Sequence, residues 1–161
     1  DAPYGEVKRF DWFRPNIVGG KSIMWGRQSY RLSDIDFEAN LKDGIAIDWP
    51  IRYADIAPWY DYAERFAGIS GSKDGLSVLP DGQFQPAMEL NCLEKHVKSE
   101  MMRKMGRTLT IGRVAHLTKP QSIHTALGRA ACQYRNMCMR GCPYGAKPIS
   151  LYSPELTRKP Q

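Results

Sequence analysis

The segment YADIAPWYDYAERFAGISG, residues 53–71, carries the clearest helical repeat in this sequence. Its apolar residues recur at the three- and four-residue spacing of an amphipathic helix. They are Ile56, Trp59, Tyr60, Ala63, Phe66 and Ile69. Asp55 is a candidate N-cap, Pro58 suits a first turn, and Gly68 or Gly71 can end the helix. We interpret the apolar face as one that packs against a core.

The rest of the chain offers short elements between turns. Residues 1–20 read as extended chain, residues 21–50 as ordered loop with short elements, and residues 70–86 as a turn-rich linker. A second helix is predicted over residues 89–105, with Gly106 as its stop. One face of that helix is apolar and carries Leu90, Leu93, Val97, Met101 and Met105. Residues 107–118 are rich in Thr, Ile and Val and predict a strand, whereas loop is expected from Lys119 onward.

Composition limits the class of protein. The chain has 161 residues, of which 42% are hydrophobic and 25% charged, as in one soluble domain or a large part of one. No apolar run approaches the roughly 18 residues of a membrane span. The net charge of +6 lies mostly in residues 81–161, but the bases are scattered and form no recognised reader motif. We therefore expect no nucleic acid as a partner.

The glycine strip, VGGKSIMWGRQSYRLSDIDF at residues 18–37, combines a glycine pair with polar and polarizable side chains. A flat or anionic ligand could lie against the backbone of Gly19 and Gly20, because neither residue has a Cβ atom. Ser22 adds a hydroxyl, and Met24 and Trp25 offer surface for a ring system. No G-x-G-x-x-G occurs in the chain, and a glycine pair alone is more typical of a simple turn than of a ligand site.

Three of the four cysteines, Cys132, Cys138 and Cys142, form a C-x5-C-x3-C pattern. This spacing differs from that of a zinc ribbon and from that of bacterial ferredoxins. Three thiolates would suit a three-iron cluster in which each iron takes one cysteine; ordinary loop cysteines are the alternative. The neighbouring bases that would favour thiolates are Arg129, Arg135, Arg140 and Lys147. Cys92, on the second helix, is expected to be a small buried hydrophobe.

The long segments around these motifs resemble the glucose-methanol-choline (GMC) flavoprotein oxidoreductases, nearest to bacterial sugar and alcohol dehydrogenases. The matching stretches are VGGKSIMWGRQSYRLSDIDFEANLKDG, DWPIRYADIAPWYDYAERFAGISG and CQYRNMCMRGCPYGA. The resemblance runs from about Gly5 to Ala146. In that family the strip lies over FAD, so the resemblance assigns cofactor binding to Gly19, Gly20, Ser22, Met24, Trp25 and Gly26.

The strip departs from the family pattern at two positions. Lys21 stands where a small residue is usual, and Trp25 stands where Asn or His is usual. Some relatives attach the flavin covalently through a His in this region. Since residues 1–95 contain no His, the resemblance implies non-covalent FAD.

The resemblance also implies an organisation. The expected fold class is α+β, as a fragment: residues 1–50 as the flavin-covering part of the FAD-binding domain, and residues 51–146 as the start of the substrate domain. Residues 147–161 form a divergent tail, for which a frame change or truncation is one hypothesis. The family's catalytic His belongs to a C-terminal region that this sequence does not match. We therefore name no catalytic residue, and interpret His96, His116 and His124 as surface or packing residues.

The expected function is that of a fragment of an FAD-dependent dehydrogenase, inactive by itself, that transfers hydride from a CH–OH carbon of a sugar or alcohol to flavin. By the same resemblance, Cys132, Cys138 and Cys142 would bind a [3Fe-4S] cluster. That cluster would pass electrons to a cytochrome or a small electron-transfer subunit. A stand-alone iron–sulfur or metal-binding module and a small basic binding protein are the alternatives. The substrate, the acceptor and the compartment, periplasmic or cytoplasmic, stay open.

Overall fold

A computed structural model describes residue 5 and residues 7–9, 20–138 and 142–146. Its elements are a 3-10 helix, Gly20–Ile23, and five α-helices. These are α1 (Asp34–Phe37), α2 (Ala39–Asp43), α3 (Tyr53–Ala67), α4 (Cys92–Met105) and α5 (Ser122–Thr125). None of the helices in the described residues combines the length and the apolar character that crossing a bilayer requires. The α+β class and the domain boundary at residue 50 stay predictions, and the tail after Ala146 lies outside the described residues.

Helix α3 confirms the predicted helix and its end, because Gly68 adopts the left-handed conformation of a C-cap, with φ 70°. Its start differs in detail. Arg52 is the N-cap residue, and the Asp55 carboxylate accepts the Arg52 backbone N–H at 2.8 Å from the third helical position. Pro58 lies inside the helix, beyond the first turn where it was placed.

The predicted apolar face of α3 is buried only in part: Ile69, just beyond the helix, is 3% exposed, and Ile56 and Tyr60 are half-buried. Trp59 is 69% exposed and Phe66 is 42% exposed, whereas Glu64 is the buried residue of the helix. The reason is electrostatic: Glu64 accepts two hydrogen bonds from Arg31 and one from the backbone N–H of Gln83. These bonds fix which side of α3 faces the interior.

Helix α4 confirms the second predicted helix, although it begins three residues later than expected. The Asn91 side chain accepts the Glu94 N–H at 2.9 Å, the Glu94 carboxylate accepts the Asn91 N–H at 2.7 Å, and Gly106 ends the helix. All residues of α4 are half-buried or exposed, including Leu93, which is 67% exposed. The expectation that Cys92 is buried is therefore wrong, since it is exposed at the start of a helix that contributes nothing to the core.

The strand predicted over residues 107–118 is also wrong. Val114 instead forms isolated antiparallel bridges with Gln28 on one side and Ser70 on the other, and Ser70 pairs in turn with Gln85. Each pairing ends after one bridge, so β-propensity alone does not produce a continuous ladder here. Residues 113–117, here called the central segment, nevertheless bond to four parts of the chain. These are the glycine strip, Ser70, the loop at Asp81 and the cysteine region.

The last residue of the central segment holds both ends of the cysteine region. The Leu117 N–H donates to the Ala146 carbonyl at 2.9 Å, and the Leu117 carbonyl accepts the Cys132 N–H at 2.7 Å. Two backbone bonds at one fully buried residue therefore set the separation between the start and the end of the cysteine loop.

The interior mixes apolar and charged side chains. Its apolar members are Phe37, Ile69, Val114, Ala115, Leu117 and Ala146. Arg31 and Arg113 are buried among them and are paired: Arg31 with Glu64 and Asp61, and Arg113 with Asp81 at 2.9 Å. Such pairing is required because an isolated buried charge is strongly unfavourable.

Candidate functional site

A cavity of about 390 Å³ lies between the central segment and the cysteine loop. Its wall is mostly apolar and aromatic and includes Met88, Ile111, Val114, Met137, Tyr134 and Tyr144. The polar groups on the wall include Gln28, His116 and Arg135. A cavity of this kind, with a few converging polar groups, is the usual form of a binding site.

The structure brings Cys132, Cys138 and Cys142 to the wall of this one cavity. All three are half-buried and carry thiols rather than disulfides. Tyr134 and Asn136, between the first two cysteines, have φ near 50°, the left-handed conformation that turns a chain sharply. Tight turning at these two residues accounts for how sulfurs distant in sequence reach a common space.

Within the described parts of the chain, no three His, Cys, Asp or Glu side chains lie close enough together to hold a single metal ion. The three cysteines share the wall of one cavity without forming such a group. A three-iron cluster takes one thiolate on each iron, so it requires sulfurs distributed around a cavity.

Arg27, which sequence analysis did not single out, is fully buried beside the cysteines. Burial lowers the pKa of its guanidinium, and the attraction of Cys138 and Cys142 acts in the opposite direction. The position had no signal in the sequence, because Arg27 is separated from these cysteines by more than a hundred residues.

The other bases near the cysteines in sequence divide between two roles. Arg135 lies on the cavity wall as expected. Arg129 instead donates to the carbonyls of Phe66 and Ala67 at the end of α3, where a cation suits the helix dipole. Arg140 and Lys147 lie outside the described residues.

The glycine strip forms a tight turn in which the N–H groups of Met24 and Trp25 donate to the Lys21 carbonyl. Gly20 has φ 50°, and a Cβ at Gly20 or Gly26 would meet nothing within 4 Å. The backbone at these two glycines is therefore open on the side where a ligand would approach. Gly19 lies outside the described residues. Ser22, Met24 and Trp25 are half-buried.

The strip and the cysteine cavity are adjacent but separate. None of the strip residues assigned to FAD by resemblance, within the described residues, lines the cavity; the strip reaches it at Gln28. Backbone bonds fix this junction, since Ser29 N–H donates to the Arg113 carbonyl and Ala115 N–H donates to the Arg27 carbonyl, each at 2.9 Å.

The histidines have three different environments. His96 is exposed on α4, and His116 is half-buried on the cavity wall. His124 is a packing residue, as interpreted: its Nδ1 accepts the Gln121 N–H at 3.0 Å, and its Nε2 lies 2.8 Å from the Arg65 carbonyl. These bonds place the proton on Nε2, because the carbonyl needs a donor.

Comparison with known proteins finds three relatives matched over most of this chain. It is 30% identical over 142 residues to the paromamine 6'-oxidase of Streptomyces fradiae and 29% identical over 145 residues to the 6'''-hydroxyparomomycin C oxidase of Streptomyces lividus. It is 26% identical over 140 residues to the fructose dehydrogenase large subunit of Gluconobacter japonicus. Each match covers 84% of this chain but 24%, 24% and 25% of the respective relative. The chain therefore spans about a quarter of the length of these curated relatives. No family model matches it.

Proposed function

We propose that this chain is part of an FAD-dependent oxidoreductase of the GMC family that oxidises a CH–OH group of a sugar or alcohol. The observation that carries the proposal is its similarity, over 84% of its length, to two oxidases and a dehydrogenase. A similarity over 84% of the chain is much longer than any single motif.

The glycine strip is proposed to cover the FAD, which when bound accepts the hydride from the substrate. Gly19, Gly20 and Gly26 would let the ring approach the backbone, Ser22 would supply a hydroxyl, and Met24 with Trp25 would contact the ring. The open faces of Gly20 and Gly26 support this assignment, because any other residue would place a Cβ atom in that space.

The cysteine cavity is proposed to hold a [3Fe-4S] cluster on Cys132, Cys138 and Cys142. Such a cluster carries single electrons, here to an external acceptor such as a cytochrome or a small electron-transfer subunit. The chain's own contribution is to hold three thiols around one cavity whose wall is mostly apolar and aromatic.

The test is anaerobic purification of the natural-length protein, followed by absorption spectra and by iron and flavin analysis. Cys138→Ser is expected to lose most of the iron and to keep the flavin. Cys92→Ser is the matched control, because Cys92 is exposed on α4 and is not on the cavity wall. It is expected to keep both.

The outcomes separate the alternatives. Flavin together with iron that depends on Cys138 supports the proposal. Iron without flavin would favour the stand-alone iron–sulfur module instead. Unchanged iron in Cys138→Ser would exclude the cluster assignment. A colourless protein would count against both the FAD and the cluster.

A second pair of variants tests the strip. Gly26→Leu extends a side chain into open space, so the fold is expected to tolerate it while flavin content falls severalfold. Gly5→Leu is the control, since a Cβ at Gly5 also meets nothing within 4 Å. Equal flavin content in the two variants would count against contact between the strip and the ring.

A further inference from the structure

A second cavity, of about 120 Å³, has residues of α3, of α5 and of segment 83–86 on its wall. It shares no wall residue with the cysteine cavity. Two bases, Arg65 and Lys119, and three glutamine side chains lie on this wall, and none of the described residues that line it is acidic. The volume exceeds that of one water molecule and suits a group of a few atoms.

Gln85 is the fixed polar group of this wall, since it is only 9% exposed. Its backbone N–H donates to the Ile69 carbonyl at 2.7 Å, and its carbonyl accepts the Gly71 N–H at 3.2 Å. The side-chain Oε1 accepts the backbone N–H groups of Thr118 at 3.0 Å and Lys119 at 2.9 Å. Because only the amide oxygen can accept, these two bonds determine which end of the side chain carries the NH₂ group.

That NH₂ group, Gln85 Nε2, is buried and has no acceptor among the described residues. A Cβ built on Gly68 would lie 3.3 Å from Gln85 Nε2 and 3.2 Å from His124 Nε2, so the two nitrogens are neighbours. His124 Nε2 cannot serve as the acceptor, because it carries the proton that the Arg65 carbonyl accepts. Buried donors in proteins seldom stay unsatisfied, so a donor on a cavity wall points to an acceptor inside the cavity.

The charges around the cavity favour an acceptor that is negative. In the part of the chain that the structure describes, neither Arg65 nor Lys119 forms an ion pair, and both are exposed. Glu64, which precedes Arg65 in the sequence, accepts its hydrogen bonds from Arg31 and from the Gln83 N–H. Its negative charge is therefore already balanced by Arg31.

An alternative role for the two bases would be to complement the negative end of the α3 dipole. The carbonyls there already have other donors. Arg129 donates to those of Phe66 and Ala67, and His124 donates to that of Arg65. The end of α3 therefore does not require Arg65 or Lys119.

We propose that this cavity is a binding site for a small oxyanion, a carboxylate or phosphate group, with Gln85 Nε2 as its buried donor and Arg65 and Lys119 as its cations. The amide supplies a hydrogen bond of fixed direction. The exposed bases supply attraction without the cost of burying an unpaired charge. The site is independent of the FAD and of the cluster proposed above.

The experiment is isothermal titration calorimetry of the natural-length protein with sodium phosphate and, separately, with sodium acetate. Sodium chloride holds the ionic strength constant, so that screening does not change between injections. At least one of the two anions is expected to bind, and the tighter one identifies the group that the site prefers. Heats no larger than those of sodium chloride for both anions would overturn the proposal.

Gln85→Glu tests the buried donor. Glutamate keeps an oxygen for the Thr118 and Lys119 N–H groups, but it replaces the NH₂ group by a second oxygen that repels an anion. The dissociation constant is expected to rise about tenfold or more, as for the loss of a hydrogen bond to a charged group. A purely structural role for Gln85 would change the unfolding midpoint and leave the dissociation constant of the folded protein unchanged, and that result would overturn the assignment.

Lys119→Met and Arg65→Met test the cations and decide the matter if Gln85→Glu does not fold, because both side chains are exposed. Each is expected to raise the dissociation constant about two- to fivefold. Lys73→Met is the matched control, since Lys73 is also exposed but is not on this wall. An equal rise in Lys73→Met would reveal only general attraction by the positive chain and would overturn the site, as would no rise in either wall variant.

Discussion

Arg27 and Arg31 lie four residues apart in the glycine strip, and both are buried, but they belong to different kinds of environment. Arg31 donates to Glu64 at 2.6 and 2.8 Å, to Tyr53 at 2.8 Å and to Asp61. Burial opposes its charge, but the bonds to Glu64, Asp61 and Tyr53 outweigh burial and raise its pKa. Arg27 is attracted instead by two thiols.

The difference is that the buried Arg31 is paired with carboxylates from another part of the chain, whereas the Arg27 guanidinium donates to the Ile23 carbonyl in its own segment. The partners of Arg31 are carboxylates of the protein itself, so the ion pairs of that region need no bound group. The charge of the thiols beside Arg27 depends on what they bind. We therefore expect changes near Arg31 to alter stability.

The largest effect is expected from Glu64→Gln. The substitution removes the more buried of the two negative charges that neutralise Arg31, while Arg31 itself stays buried. Breaking a buried ion pair from one side costs roughly 3–5 kcal/mol of unfolding free energy. Urea denaturation at neutral pH measures the change, and iron content per folded chain should stay constant.

Asp61→Asn is the matched control for Glu64→Gln. The Asp61 side chain is 33% exposed against 8% for Glu64, so water can replace part of its bond to Arg31. Its cost should be less than half that of Glu64→Gln. Equal costs, or iron loss in either variant, would break the distinction between the two arginine regions.

A smaller loss of stability is expected from Gly82→Ala, because the added methyl group would crowd the Glu64 carboxylate of the Arg31–Glu64 ion pair. A Cβ at Gly82 would lie 2.2 Å from a carboxylate oxygen of Glu64, which must then move away from Arg31. Such overpacking costs about 1–3 kcal/mol. Thermal or urea unfolding measures it.

Gly112→Ala adds the same methyl group at the cavity wall, beside Gln28, the residue that follows Arg27. There the added Cβ would meet the side chain of Gln28 at 3.3 Å, and Gln28 is exposed and can shift. We expect a cost below about 1 kcal/mol. A cost for Gly112→Ala that matches Gly82→Ala would show that the cavity wall is as rigid as the Arg31 region.

The smallest change in stability is expected from Asp74→Asn. Asp74 is attracted by the buried Arg113. Burial disfavours its charge, but hydrogen bonds from Thr110 and Ser72 outweigh burial and lower its pKa below the usual 3.8. The charged form is thus favoured in the folded state, so this stabilisation is complete above pH 3.8 and is lost as the pH falls through the lowered pKa. Unfolding midpoints should decline less steeply in acid for Asp74→Asn than for the parent. Identical slopes would show that the charged form of Asp74 does not stabilise the folded state.

Local signals predicted α3 and α4 and the glycines that end them. Gly68 and Gly106 mark helix ends because the left-handed conformation is easiest for glycine, and that depends on the backbone alone. The faces of the same helices were assigned wrongly, since burial of Glu64 depends on Arg31, 33 residues earlier in the chain. The strand over residues 107–118 failed for a related reason: pairing needs a partner of matching length, and Val114 meets each of its partners at a single bridge.

By itself the sequence determined the positions of α3 and α4, the C-x5-C-x3-C spacing and the glycine pair, because each depends on residues close together in the chain. The loop expected from Lys119 onward was wrong at Ser122–Thr125, where the structure has the short helix α5. Tertiary structure alone decided that Cys132, Cys138 and Cys142 share a cavity and that Arg27 lies beside two of them. It did so through the backbone bonds of Ala115 and Leu117. Electrostatic attraction depends on distance in space, and the distance between Arg27 and Cys138 is fixed by folding rather than by their separation in sequence.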